Sequence, residues 1–204
     1  MSVSLPIGFN FRATKPYVTD NSPDLPIIDT DTYAASPGYG WTGTPYSGFF
    51  VNYSTGVDPR FAGRYSASNS LGATYAEFRI DVTGNINIRV ALGDDEHDYS
   101  DGHIMKFFDG SSGTPFASIN VATLAGQYAD ATGVVRTSKS DWLSNNAAVN
   151  RTISGGYLRF QLGDGSSAGY HALTHLDIAA AGGGGGGSQP PFNPWPLRAP
   201  VLAQ

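Results

Sequence analysis

The chain has 204 residues and a formal net charge of −5, and charged residues make up 14% of it, against about 25% in a typical soluble protein. Such sparse, slightly acidic charge argues against a nucleic-acid or anionic-membrane partner, since both require a basic patch. The absence of cysteine excludes disulfides, thiolate metal sites and a cysteine nucleophile. We expect neither a signal peptide nor a membrane span, because the basic start and the apolar runs that they need are missing.

Alternating apolar and polar residues predict an all-β chain that begins with a strand at 7–11. The segments 76–82 and 86–92 alternate strictly, and Thr83-Gly84-Asn85 between them predicts a hairpin. Glu77, Arg79 and Asp81 should face outward. The predicted core comprises Phe78, Ile80, Val82, Ile86, Ile88, Val90, Leu92, Leu158, Phe160 and Leu162.

Further strands are predicted at 104–108, 118–124, 149–153, 157–162 and 172–178. Asp109-Gly110 and Gly155-Gly156 mark tight turns between them. No window shows the apolar stripe of a long helix, although a short helical turn is expected near Asp141. Many short strands without long helices predict an antiparallel β-sandwich or jelly roll.

The first 75 residues are rich in proline, glycine and tyrosine, which indicates long loops at one end of the sandwich. Two interpretations of their aromatic residues stay open. Flat rings could stack on the C–H faces of a sugar, or they could plug the end of the sandwich as core. The candidate sugar-binding residues are Tyr39, Trp41, Tyr46 and Tyr53.

An acidic segment follows the strand at 86–92 and could bind a cation. Five carboxylates fall within eight residues, and Ca²⁺ requires several oxygen ligands on a curved backbone. His97 and His103 could instead join these acids around a transition metal, and a solvated acidic loop is the third alternative. The candidate calcium ligands are Asp94, Asp95, Glu96, Asp98 and Asp101.

Catalysis is not expected from the sequence. Gly165-Ser-Ser167-Ala-Gly169 matches the serine-hydrolase pattern, but a strand follows it where a nucleophile elbow needs a helix. The pairs Glu77 with Asp81 and Asp94 with Asp164 could serve a glycosidase only in a pocket that raises one pKa, which nothing in the sequence indicates.

The composition changes abruptly after residue 178. The composition of residues 179–189 predicts a glycine-rich linker, and that of 190–204 predicts a proline-rich extended arm. Large apolar side chains and a single cation make this arm a candidate for docking on another protein. The candidate docking residues are Phe192, Trp195, Leu197, Arg198, Val201 and Leu202.

The order of the strand motifs resembles the galactose-binding-like β-sandwich of carbohydrate-binding modules and malectin-like domains. The resemblance covers 5–178 and is carried by the strand 7–11, by Gly38-Tyr-Gly-Trp41, by 76–92 ending in Leu92-Gly93-Asp94, and by the strands 157–162 and 173–178. It implies a jelly roll at 1–178, often with sugar binding and structural calcium, and it supplies no catalytic residues.

Two non-enzymatic functions are therefore expected. The first is a bacteriophage virion protein (a decoration, head or tail accessory) assembled in bacterial cytoplasm and anchored to capsid or tail subunits by the arm. The second is a carbohydrate-binding module, extracellular or displayed on the particle, that recognises a neutral host glycan. Apart from calcium, no cofactor is expected.

Deleting residues 188–204 should leave the melting temperature of the sandwich unchanged and abolish incorporation into the assembly. The six glycines can span roughly 20 Å, so the arm can reach a neighbouring subunit without folding on its own domain. Calorimetry of the free protein and mass spectrometry of purified particles measure the two effects. Full incorporation of the truncated chain would contradict a docking role, and unfolding would mean that the arm packs in cis.

Overall fold

Two β-sheets packed face to face make up the fold. The computed structural model describes residues 2–13, 25–28, 30–43, 50–52, 58–61, 63–68, 75–163 and 170–182. The predicted all-β sandwich is confirmed, whereas the predicted C-terminal arm lies outside the described residues. No helix in the described segments has the length and apolar character needed to cross a membrane.

The strands alternate with short turns, and one α-helix and one 3-10 turn are the helical elements of the described chain. In chain order they are β1 (Ile7–Phe11), β2 (Leu25–Ile27), β3 (Tyr39–Trp41), β4 (Phe50–Asn52), the 3-10 turn Pro59–Phe61, β5 (Gly63–Ser68), β6 (Ala76–Ile80), β7 (Gly84–Leu92), β8 (Tyr99–Asp109), β9 (Ala117–Thr123), β10 (Tyr128–Ala129), β11 (Val135–Arg136), α1 (Lys139–Asn145), β12 (Val149–Ile153), β13 (Leu158–Leu162) and β14 (Tyr170–Ala180).

The larger sheet is built around two long central strands, β7 and β14, which pair antiparallel. On its other side, β7 pairs with β12 along its first half and with β10 at its end. On its other side, β14 pairs with β5 near its start and with β1 near its end. A change of register between Leu173 and His175 marks a bulge in β14 where this exchange of partners occurs.

The smaller sheet has the order β3-β6-β13-β8-β9, with every neighbouring pair antiparallel. Its strands alternate as the sequence predicts, so Phe78 on β6 lies beside Phe160 on β13, and both are fully buried. Glu77 accepts hydrogen bonds from Arg159 and Gln161 on the outer face of the same two strands. A polar network, rather than bare solvated charges, therefore covers this outer face.

The hairpin predicted between 76–82 and 86–92 is wrong, because β6 and β7 belong to different sheets. Residues 81–83 form an arch that carries the chain from one sheet to the other. The N–H of Asp81 donates to the carbonyl of Gly38, and its own carbonyl accepts from Val3, each at 2.7 Å. A hairpin and an arch both place alternate apolar residues on the buried side, so alternation does not distinguish them.

The core lies between the sheets, and aromatic rings fill one part of it. Phe78 and Phe160 stack with centroids 5.4 Å apart, and Trp41 meets Phe78 edge to face at 5.0 Å. Phe9 and Phe11 from the larger sheet contact the same cluster. All ten residues predicted for the core are buried.

A second, smaller apolar cluster lies on the opposite face of the larger sheet. Helix α1 begins at the N-cap Ser138, whose hydroxyl accepts from the N–H of Asp141, and it buries Trp142. The indole N–H of Trp142 donates to the carbonyl of Val90 at 2.9 Å. Phe61 from the 3-10 turn packs edge to face on Trp142. The short helix predicted near Asp141 thus covers the outer face of β7.

The two predicted glycine turns pack against each other. A Cβ on Gly110, whose φ is +57°, would lie 2.9 Å from the Cα of Gly155, so a side chain would clash there. The carboxylate of Asp109 accepts from the N–H groups of Ser154 and Gly155 at 3.1 and 2.7 Å. This contact fastens the end of β8 to the arch between β12 and β13.

Asp130 anchors the region of β10, β11 and α1. Its buried carboxylate accepts hydrogen bonds from Arg136, from both N–H and hydroxyl of Thr132, and from the N–H groups of Val134 and Ala147. Burial alone would raise the pKa of this carboxyl, but the bonds from Thr132, Arg136 and Ala147 together hold it below its usual value.

Asp130→Ala is expected to lower the free energy of unfolding by about 3 kcal/mol, because Arg136 and several backbone N–H groups lose their acceptor. Urea denaturation measures the change. The control is Glu96→Gln at an exposed position, expected to stay within about 0.5 kcal/mol of the parent. Equal stability of the two variants would show that Asp130 is not the anchor of this region.

Candidate ligand-binding cleft

A cleft of about 250 Å³ opens where β5, β8 and β14 meet the loop after β7. Its inner lining consists of the largely buried residues Arg64, Ser66 and Tyr99. Its rim consists of the exposed residues His97, Asp98, Ser100, Asp101 and Tyr170. Alternation along β5 places Arg64 and Ser66 here, because Tyr65 between them points into the core.

Asp94 forms the floor beneath this lining and is completely buried. The preceding Gly93 has φ +133°, and a Cβ there would lie 2.3 Å from the carbonyl oxygen of Gln127. Only glycine fits that turn, which directs Asp94 toward β5. Its carboxylate forms an ion pair with Arg64 and accepts from the hydroxyl of Tyr99.

Backbone groups complete the coordination of the Asp94 carboxylate. The N–H groups of Glu96 and His97 donate to its Oδ1 at 2.7 and 2.8 Å. A buried ion pair with these additional bonds holds the loop after β7 against β5. Burial raises the pKa of Tyr99 above its usual value, although Arg64 and Ser66 oppose the shift. Tyr99 therefore stays a neutral hydrogen-bond donor at physiological pH.

His97 lies between the floor and the rim, with its side chain 53% exposed. Its Nδ1 is 2.8 Å from Nη1 of Arg64, a group that can only donate. Nδ1 therefore accepts from Arg64, and in the neutral ring Nε2 carries the proton.

Ser66 lines the cleft beside Tyr99. The residue is 4% exposed, and a hydrogen bond between its hydroxyl and Tyr99 opposes the rise of the Tyr99 pKa. Ser66 therefore belongs to the hydrogen-bonded lining of the cleft.

A buried histidine supports the cleft from behind. The ring of His103 lies 4.5 Å from that of Tyr99, and its Nε2 is 2.7 Å from the hydroxyl of Thr123. Its Nδ1 accepts from the N–H of Ala172 at 3.1 Å. Burial, assisted by the neighbouring His171, lowers the pKa of His103 to about 3, so this ring stays neutral at physiological pH.

The predicted aromatic sugar-binding residues do not form this cleft. Trp41 is 1% exposed, and its indole N–H donates to the carbonyl of Ile28 at 2.9 Å. Its ring is core, as the packing interpretation proposed, and offers no face for stacking. Tyr39 is half-buried against Phe9, while Tyr46 and Tyr53 lie outside the described residues.

The predicted calcium ligands do not converge on one point. Asp94 pairs with Arg64, Asp95 contacts Tyr128 and Lys139, and Asp98 accepts from the N–H of Ala125. Glu96 and Asp101 are exposed. Across the described segments, no three histidine, aspartate or glutamate side chains are grouped closely enough to hold a metal ion.

The carboxylates that were considered and rejected as a glycosidase pair have other partners. Glu77 is engaged by Thr42, Arg159 and Gln161, and these bonds lower its pKa below the usual value despite its burial. The carboxylate of Asp81 accepts from Tyr33 and Arg79. The serine pattern at 165–169, Asp164 and the arm residues Phe192, Trp195, Leu197, Arg198, Val201 and Leu202 lie outside the described residues.

Arg64, Ser66 and Tyr170 were missed by the sequence analysis. They come from two strands that are separated by about a hundred residues and pair only in the folded sheet. The one available signal was the alternation in 63–68, which places every second side chain outside the core. Asp98 and Asp101, by contrast, were singled out as charged residues but assigned to a metal.

No protein-family model and no curated protein sequence matches the chain. Its fold is similar to that of the Bacillus subtilis protein YxiM, with a TM-score of 0.53 and 14% identity over 86% of this chain. The chain spans 40% of that protein. At this identity the similarity shows the fold alone.

Two further similar structures are β-glucuronidases of Bacteroides uniformis. Their TM-scores are 0.45 and 0.41, each with 12% identity, and the chain covers 87% of its own length but 18% of theirs. Enzymes are thus among the similar structures, which gives no support to the expectation of a non-catalytic chain. At these TM-scores they carry no argument for a particular reaction either.

The depressed pKa of His103 predicts a pH-dependent stability. The unfolded chain binds a proton at this residue below about pH 6.5, whereas the folded protein does not until about pH 3. The free energy of unfolding should therefore fall by up to about 1.4 kcal/mol per pH unit as the pH drops from 6.5. His103→Gln should flatten this dependence between about pH 6.5 and 5. Identical slopes in the two proteins would contradict the prediction.

Proposed function

We propose that this chain is a non-catalytic binding module that recognises one hydroxyl-rich sugar residue of a glycan in the cleft. The observation that carries the proposal is the half-exposed ring of Tyr170 in the cleft lining. Sugars combine flat C–H faces with hydroxyl groups that both donate and accept, so they can stack on this ring and bond to the polar side chains around it.

An exposed aromatic ring at the rim supports the same ligand class. Tyr170 is 50% exposed and lines the cleft beside Asp98 and Asp101. Its ring offers a flat apolar surface for the C–H face of a sugar, and the carboxylates accept hydrogen bonds from sugar hydroxyls. The volume of about 250 Å³ is smaller than the roughly 300–1,000 Å³ of pockets for drug-sized ligands. A single ring therefore matches it best.

The chemistry of the lining favours binding over reaction. His97 turns its Nδ1 toward Arg64 rather than toward a nucleophile. Asp98 and Asp101 are exposed to solvent, whereas catalytic acids usually act in a site from which water is excluded. The described lining holds no serine hydrogen-bonded to a histidine, which is the pair that nucleophilic catalysis requires.

A place in a larger assembly stays a prediction from the sequence of the arm at 190–204, which lies outside the described residues. It is compatible with sugar binding, because a sandwich anchored by an arm can present its cleft to a glycan. The extracellular location and the virion location remain the two alternatives for the same module.

Calorimetric or NMR titration with a panel of neutral monosaccharides tests the proposed function. Tyr170→Ala should weaken binding about tenfold through loss of stacking. Tyr75→Ala is the matched control, since Tyr75 is 44% exposed but is not among the residues of the cleft. Failure of every sugar to bind, or equal losses in the Tyr170 and Tyr75 variants, would overturn the proposal.

A further inference from the structure

We propose that two copies of this chain pair through the free edge of β9. In this arrangement the two β9 strands run antiparallel about a two-fold axis at Asn120, and the smaller sheet continues from one copy into the other. The partner is a second copy of the chain rather than a different protein. The inference does not rest on sugar binding, so its failure would leave the proposed function untouched.

Strand β9 (Ala117–Thr123) is the last strand of the smaller sheet. It pairs antiparallel with β8 on one side. On its other side, no backbone hydrogen bond joins residues 117–123 to another part of the described chain. A strand with such an edge presents a row of N–H and C=O groups that another strand can bind.

The edge of β9 lacks the features that normally protect an edge strand from pairing. Natural sheets place charged side chains, proline or very short strands at their edges. Residues 117–123 contain no proline, glycine or charged residue, and the chain has no aspartate, glutamate, lysine or arginine between Asp109 and Asp130. The absence of charge across so long a segment suits burial of this edge in an interface.

The opposite edge of the smaller sheet is closed by its own chain. The N–H of Trp41 on β3 donates to the carbonyl of Asp31, and the carbonyl of Trp41 accepts from the N–H of Tyr33, each at 2.8 Å. With this edge capped, the smaller sheet can be extended only through β9. Pairing of two identical edges about a two-fold axis therefore gives a closed dimer rather than an open chain of copies.

The residues of β9 are arranged so that the strand complements itself. With Asn120 on the axis, Ser118 pairs with Ala122 of the second copy, and Ile119 pairs with Val121. Ser118, Asn120 and Ala122 are exposed and small or polar, so they can meet without steric conflict. The two Asn120 amides lie opposite each other, where each can donate to and accept from the other. Ile119 belongs to the core and Val121 packs against it, so the pair continues the apolar layer between the sheets.

An exposed apolar side chain directly after β9 favours the same register. Leu124 is 57% exposed, the most exposed of the large apolar side chains in the described residues. In this register Leu124 lies opposite Phe116 of the second copy, and Phe116 is half-buried in the single chain. Pairing therefore removes apolar surface from water at both ends of the shared strands, in addition to forming backbone hydrogen bonds.

Sedimentation velocity of the intact protein over a range of concentrations tests dimerisation. A strand-edge interface is small, so we expect a dissociation constant of about 10–100 µM. Asn120→Lys should raise this constant about tenfold or more, because two ammonium groups would face each other on the axis, and Asn120→Asp should act in the same way. An equimolar mixture of the two variants should dimerise again, because opposite charges then meet.

A matched control substitutes an asparagine on a different strand. Asn150 is exposed on β12, which has β7 as its one partner among the described strands. Asn150→Lys should dimerise like the parent protein. Dimerisation of the mixed Asn120 variants would also show that each variant is folded and fails to pair with itself only because of its charge.

Single cysteines test the register, because the chain has no cysteine of its own. Opposite residues of an antiparallel pair have Cα atoms about 5 Å apart, within the range of a disulfide. Asn120→Cys should therefore cross-link two copies under mild oxidation. Ser118→Cys alone should not, since the two copies of that position lie about 14 Å apart along the strands. A mixture of Ser118→Cys and Ala122→Cys chains should cross-link.

Three results would overturn the proposal. The first is a monomer at every concentration, with no more cross-linking of Asn120→Cys than of Asn150→Cys. The second is a dimer that Asn120→Lys leaves intact, because the copies would then meet elsewhere. The third is a monomer in which the backbone amides of 117–123 resist hydrogen exchange on the free side of β9, because another segment of the same chain would then cover the edge.

Discussion

The ion pair between Arg64 and Asp94 is the interaction on which the architecture of the cleft depends. It joins β5 to the loop after β7, two parts of the chain that share no backbone pairing among the described strands. A buried pair of this kind is stable only when its remaining hydrogen-bonding groups are satisfied. Tyr99 and two backbone N–H groups do this for Asp94. The floor is therefore fixed by several bonds, and the exposed rim residues project from it.

The strands were predictable because burial between two sheets imposes a period of two on each of them. The partners of the strands were not predictable from that period. The segments 76–82 and 86–92 have the pattern of a hairpin, yet they face each other across the core. Both arrangements bury the same side chains, and the difference lies in backbone hydrogen bonds of Asp81 to Gly38 and Val3. Those partners are distant in sequence, so local reasoning had no access to them.

The charged segment after β7 was recognised as unusual, but the partners of its carboxylates could not be predicted, for a related reason. Carboxylates close in sequence appear to be available for a metal until their partners are known. Arg64, Tyr128 and Lys139 come from elsewhere in the chain and engage Asp94 and Asp95. The aromatic residues show the converse case. Trp41 is the type of residue that stacks on sugars, but the fold buries it in the core. Exposure, which decides between these roles, is a property of the fold.

The cleft separates the residues that stabilise the fold from those that a ligand could touch. Its floor holds the buried ion pair of Arg64 and Asp94, to which the hydroxyl of Tyr99 donates. Its rim holds the half-exposed ring of Tyr170 and the exposed carboxylates of Asp98 and Asp101. Loss of a floor residue would leave a buried charge without its partner, whereas loss of a rim residue would change the stability little. In the function that we propose, the rim residues can therefore be substituted to change ligand binding without unfolding the sandwich.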